Sequence, residues 1–171
     1  MKLELDAHYL ERSGVDLTTD DLRLGLSLGI ITPTTVVAHV RKSGLSRPLD
    51  SVQRRLAELD GSAVADVREI LGSVDPEEAT LEPASSVRKW LYLELLAAYE
   101  LRAQLRDPFE FVEVIYADFG YPDSVAPFVR YMPLAEGEEG GLEAMTASWE
   151  KYLMREATAL AGPESWPRNR A

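Results

Sequence analysis

The chain has 171 residues, with no cysteine, two histidines and 18 basic against 29 acidic side chains, a net charge of −11. That length fits one domain whose core needs no disulfide or metal staple, and the lack of cysteine excludes a disulfide framework, a thiolate zinc site and a cysteine nucleophile. A 46% hydrophobic share excludes a disordered chain, and the acidity argues against nucleic acid or an anionic membrane as partner.

In chain order, Thr18-Thr19-Asp20-Asp21 supplies capping oxygens and first-turn acids for a helix beginning near Leu22. Leu22, Leu24, Leu26, Leu28 and Ile30 also alternate as a half-buried strand would. The cap signal favours helix, and Gly25 and Gly29 weaken it. Thr32-Pro33 starts a second helix carrying Val36, Val37 and Val40, with Gly44 as its stop. Asp50 caps a third with Val52, Leu56 and Leu59, ending near Gly61. Ser62 is expected to cap a fourth with Val64, Val67, Ile70 and Leu71, ending at Gly72. Residues 73–85 hold Asp75-Pro76 and Glu82-Pro83 without apolar periodicity, and read as a link between possible subdomains.

A long helix over about 86–105 follows. Val87, Trp90, Leu91, Leu93, Leu95, Leu96, Ala97, Ala98 and Leu101 surround it with apolar side chains, which places it centrally in an all-α, single-domain bundle. Asp107-Pro108 repeats the cap-plus-proline start, and the buried stripe is Phe111, Val112, Ile115, Tyr116 and Phe119, stopped by Gly120. Tyr121-Pro122-Asp123 opens a short helix through Arg130. After the acidic, glycine-rich loop 137–141, the last helix spans 142–161 with Leu142, Met145, Trp149, Tyr152, Leu153 and Leu160 on one face. The N-terminus lacks the basic start and apolar run of a secretory signal. The longest apolar run, 90–99, is half the length a membrane span needs and contains Glu94. The expected compartment is the cytoplasm.

The chain carries no phosphate-cradling glycine loop, no nucleophile elbow and no paired-histidine metal motif. His39 reads as a partly exposed structural histidine. Glu110 and Glu113 share a helix face, where a carboxylate pair is ordinarily solvated rather than catalytic. Catalytic residues, cofactor and metal are all expected to be absent. The charge is local: residues 107–150 hold ten acids and one cation, Arg130, a net of −9. Within that stretch, residues 116–133 crowd five aromatic rings among prolines, Asp118, Asp123 and Arg130. Such a rigid corner either presents aromatic anchors to a partner or fills the core while Arg130 pairs with Asp118 or Asp123.

The run Ala117-Asp118-Phe119-Gly120-Tyr121-Pro122 with Pro127-Phe128-Val129-Arg130-Tyr131-Met132-Pro133 resembles the signature of a small bacterial family known only as a domain of unknown function. Thr19-Asp20-Asp21, Gly25 and Ile31-Thr32-Pro33 resemble its N-terminal region, and Trp149-Glu150-Lys151-Tyr152-Leu153 its C-terminal helix. The family is similar to polymorphic-toxin immunity proteins in size and acidity, which implies neutralisation by binding. The leading expectation is therefore a non-enzymatic binding protein with an acidic face for a basic protein partner, such as a cognate toxin domain. Its candidate contact residues are Asp118, Tyr121, Asp123, Arg130, Tyr131, Glu136, Glu138 and Glu139. The alternatives are a carboxylate-based, metal-dependent enzyme and a structural or oligomerisation module.

Overall fold

The structure, a computed structural model, describes residues 2–60, 63–134, 136–137 and 140–162. The described residues form eight α-helices and one 3-10 turn, with no strand: α1 Ala7–Ser13, α2 Thr19–Ser27, α3 Pro33–Ser43, α4 Ser51–Ala57, α5 Val64–Leu71, α6 Ala84–Glu100, α7 Pro108–Asp118 and α8 Leu142–Ala161, with the 3-10 turn at Ala126–Phe128. The fold class is all-α. The chain divides into two compact units, Lys2–Trp90 and the residues from Leu91 onward, and the division falls within α6.

In the first unit, α3 packs against α1, α2, α4 and α5, and α2 also meets α5. Side-chain caps start most of these helices. Asp6 accepts the Tyr9 amide N–H at 2.7 Å and begins α1, a helix the sequence reading does not anticipate. Thr18 and Asp21 form a reciprocal capping box at α2. Thr32 accepts the Thr35 amide at 3.2 Å, with Pro33 at the first helical position of α3. Asp50 and Gln53 form a second capping box at α4. For α5, Gly61 and the expected cap Ser62 lie outside the described residues, and the cap position is Ala63, which makes no side-chain cap bond.

The alternation in 22–30 has a simple cause. Leu22, Leu24, Leu26, Leu28 and Ile30 are all buried, and so are Gly25 and Ser27. A helix covered on nearly every side can carry apolar residues at any spacing, so the period-2 pattern has no strand behind it. Gly25 lies against the Trp90 indole: a Cβ there would lie 2.3 Å from Trp90 Cζ2. The indole N–H donates to the Asp21 carbonyl at 2.7 Å. The Asp21 carboxylate, itself buried, accepts the Thr18 amide and the Lys89 ammonium at 2.7 and 2.6 Å, and the Ser86 hydroxyl. Burial pushes the Asp21 pKa up. The bonds from Lys89, Ser86 and Thr18, with the Lys89 charge, outweigh it and leave the pKa below the ordinary carboxylate value.

The long helix is present as α6, but it ends at Glu100, and 101–106 are turns and bends. Every residue from Trp90 to Tyr99 is buried, Glu94 included, as expected where apolar side chains surround a helix. In the second unit α8 packs on the 3-10 turn. The buried stripe of α8 is Trp149, Tyr152, Leu153, Glu156 and Ala157. Leu142, expected on it, is exposed, and Met145 and Leu160 are half-buried. On α7 the buried residues are Phe109, Val112, Ile115 and Tyr116, followed by Phe119 beyond the helix, while Phe111 is only half-buried. Residues 121–130 are turns around the 3-10 segment instead of a continuous helix. Pro122 and Pro127 interrupt any helical ladder there.

Candidate functional site

The second unit contains the aromatic corner. Its frame begins at Asp107, whose Oδ1 caps α7 by accepting the Phe109 and Glu110 amides at 3.1 and 3.3 Å. The other oxygen of Asp107 accepts from Arg130 Nη1 at 2.7 Å. Arg130 also donates from Nε and Nη2 to the two carboxylate oxygens of Glu113, at 2.7 and 3.1 Å. One guanidinium therefore ties the loop after α7 back to the first two turns of α7, in the bidentate geometry that suits arginine. The expected partners Asp118 and Asp123 are not the ones Arg130 takes. The Arg130 hydrogen bond, with the α7 amides, holds the Asp107 carboxyl below its ordinary range. Glu113 and Asp107 in turn raise the Arg130 pKa.

The other end of α7 turns sharply. Gly120 and Tyr121 both have left-handed backbones, φ 73° and 61°. Their amides donate to the Ala117 and Tyr116 carbonyls at 3.1 and 2.8 Å, closing the helix end. Glycine adopts this conformation freely, whereas a tyrosine pays about 1–2 kcal/mol for it. The Tyr121 ring stands edge-on to Tyr116, with centroids 5.2 Å apart at 83°. Tyr131 packs on the same ring at 6.2 Å and 55°. Tyr116 is buried, and its hydroxyl donates to Met132 Sδ at 3.7 Å. Tyr121 and Tyr131 nevertheless remain 59% and 58% exposed. Partial removal from water, then the neighbouring Tyr116, Tyr121 and Glu113, hold the Tyr131 hydroxyl above the ordinary tyrosine value. Phe128 anchors the loop: its ring stacks parallel to Trp149 at 6.1 Å and tilts against Tyr152 at 5.6 Å.

Of the residues expected from sequence, Tyr121, Arg130 and Tyr131 converge on α7. Asp118, at the end of α7, Asp123, in the following turn, and Glu136 are exposed, and none of these contacts involves them. Glu138 and Glu139 lie outside the described residues. Sequence reasoning misses Asp107 and Glu113 as the partners of Arg130. The pairs are 23 and 17 residues apart, separations at which no local periodicity operates. Asp107 is visible only as a helix cap.

A second polar cluster lies in the first unit, around a cavity of about 280 Å³ lined by Leu10, Val15, His39, Lys42, Ser43 and Arg47 among others. His39 is buried, where a partly exposed ring is expected, because α1 covers this side of α3. Its Nε2 lies 3.4 Å from Ser43 Oγ. Lys42 pairs with Glu11, and Arg47 with Asp16 at 3.0 Å. Burial and then the Arg47 charge lower the His39 pKa, against smaller opposing effects of Asp16 and Glu11. The ring is therefore neutral at pH 7.

Among the described residues no group of three or more His, Cys, Asp or Glu side chains is placed to hold a metal ion. No helix among them is long and apolar enough to cross a membrane. A family model described as an uncharacterised protein conserved in bacteria, DUF2247, matches residues 7–157, and the chain belongs to that family. No curated protein and no solved structure matches the chain.

Proposed function

We propose that this protein is a non-enzymatic binding protein of the immunity type. It acts in the cytoplasm by covering a basic protein partner, such as a cognate toxin domain, with the surface built on α7 and the loop that follows it. The observation that carries this reading is the pair of exposed tyrosines, Tyr121 and Tyr131, braced on buried Tyr116 within the most acidic stretch of the chain. Rigid, amphipathic rings lose little conformational freedom on binding and are enriched among residues that dominate interface energetics. The charge of the stretch suits a cationic surface, speeds its approach and repels phosphate-rich competitors.

The test is to mix the protein with the toxin domain encoded beside its gene and follow complex formation by size-exclusion chromatography and calorimetry. A stoichiometric complex at low salt, weakened as salt rises, is expected. No complex at low salt refutes the proposal.

A further inference from the structure

We propose that Tyr121 and Tyr131 are the two walls of a seat for an arginine side chain of the basic partner, with Tyr116 as its floor. This rests on the binding reading above and specifies its chemistry. Both exposed rings lean on one buried ring, at 5.2 and 6.2 Å, so the cluster is preorganised before any ligand arrives. The Tyr121 amide donates to the Tyr116 carbonyl, which fixes the wall to its floor through the backbone as well.

Three features of the site favour a cation. Aromatic faces carry negative potential and attract cations. The seat lies at the C-terminal end of α7, where the helix dipole is negative. Arg130, the lone cation of residues 107–150, is paired with Glu113 and Asp107, so its charge is compensated. Asp123, exposed, follows Tyr121 by two residues and supplies further negative charge along the same turn.

The chemistry selects guanidinium over ammonium. A planar, weakly hydrated guanidinium stacks on tyrosine faces and keeps its edge donors for carboxylates and hydroxyls, whereas an ammonium holds its water more strongly. The same unit already contains this contact in another place: the Arg102 guanidinium carbon lies 3.8 Å from the Tyr99 ring centroid. The backbone at Tyr121 adds a further reason. A left-handed residue after a helix is served best by glycine, so the fold alone does not call for a tyrosine there. Its ring, packed edge-on against Tyr116, still leaves the residue 59% exposed to a partner.

The experiment needs no natural partner. The full chain is titrated at low salt with the peptide acetyl-Gly-Arg-Arg-Gly-amide and, separately, with its lysine counterpart, while tyrosine ring resonances are followed by NMR. The Tyr121 and Tyr131 rings are expected to shift, with the arginine peptide binding about two- to fivefold more tightly. Tyr121→Gly should weaken arginine binding at least threefold and leave the melting temperature unchanged or higher, and Tyr131→Ala should weaken it similarly. Equal binding of both peptides, unaffected by these substitutions, assigns the affinity to carboxylates and overturns the seat. So does a protein dimer that the Tyr121→Gly variant dissociates, because the rings then serve a second copy of the chain. A toxin complex that forms undiminished with Tyr121→Gly overturns the seat and leaves the binding reading standing. An intact peptide response without any toxin complex does the reverse.

Discussion

Gly25→Ala tests the packing of the Trp90 indole against α2 in the first unit. The new methyl carbon would sit 2.3, 2.6 and 2.9 Å from Trp90 Cζ2, Cε2 and Cη2, all atoms of the outer indole ring. Trp90 is 0% exposed, so the ring has no open side to move toward. Forcing a carbon into a packed core costs about 1–3 kcal/mol. Moving the indole also breaks its hydrogen bond to the Asp21 carbonyl and strands a buried donor, costing about 1–3 kcal/mol more. Against this, alanine in a helix interior gains about 1 kcal/mol over glycine. The net is a loss of about 3 kcal/mol, or a fall in melting temperature of about 6–12 °C for a chain of this size. Circular-dichroism melts and urea titrations measure it. The Trp90→Phe background supplies the control: phenylalanine removes the outer ring, so there the same Gly25→Ala change should cost nothing or stabilise. A neutral Gly25→Ala, or an equal penalty in both backgrounds, refutes the packing reasoning.

Asp21→Asn should destabilise by about 2–4 kcal/mol in urea titrations at pH 7, since it leaves Lys89 beside a buried site without its countercharge. Because the folded pKa of Asp21 lies below its ordinary 3.8, the carboxylate contributes stability above about pH 4 and loses it as pH falls through the folded value. Wild type should therefore lose stability in acid more steeply than the asparagine variant. His39 has a folded pKa below its ordinary 6.5, so the folded state resists the proton that the unfolded chain accepts. Stability should fall as pH drops from about 6.5 toward the folded value, and His39→Gln should remove that slope in melts across pH 5–7. Arg130→Gln should release Asp107, and its NMR-detected titration should move up toward the ordinary aspartate value while α7 remains formed. An unmoved titration would show that the helix amides, not Arg130, set it.

Helix starts are legible in this sequence because capping is local chemistry. Thr32-Pro33 and Asp107-Pro108 each place an acceptor and a donor-less residue where the first turn needs them, and both helices begin there. α8 is bounded as expected, since glycines flank it on both sides. Less legible is which face of a helix is covered. On α8, Leu142 is apolar but exposed near the helix start, whereas Glu156 is buried. Hydrophobicity reports what a side chain gains from burial, and only the packing neighbours determine whether burial occurs. The same limit hides the partners of Arg130. The lone cation in a stretch with ten acids must choose among them, and the choice follows from the path of the loop over α7. Tyr121 is the opposite case: the sequence marks the corner, but not that its tyrosine occupies a conformation glycine prefers.

Among the described residues, the acids behind the −9 of residues 107–150 are of two kinds. Asp107 and Glu113 are tied to Arg130, and Glu150 accepts the Tyr99 hydroxyl. These three carboxylates hold the second unit's own elements in place. Glu110, Asp123, Glu136 and Glu143 are exposed and distributed over α7, the turn, the loop and the start of α8. Charges so dispersed set a field that acts over about a Debye length, roughly 8–10 Å at moderate salt. They do not define a contact geometry. The Tyr116–Tyr121–Tyr131 cluster does, since its rings are fixed relative to one another. In the proposed complex the two features should separate kinetically. Salt and the exposed acids should act mainly on the association rate, and the tyrosines mainly on the dissociation rate. If substituting Tyr121 or Tyr131 slowed association and left dissociation alone, the division between field and anchor would be wrong.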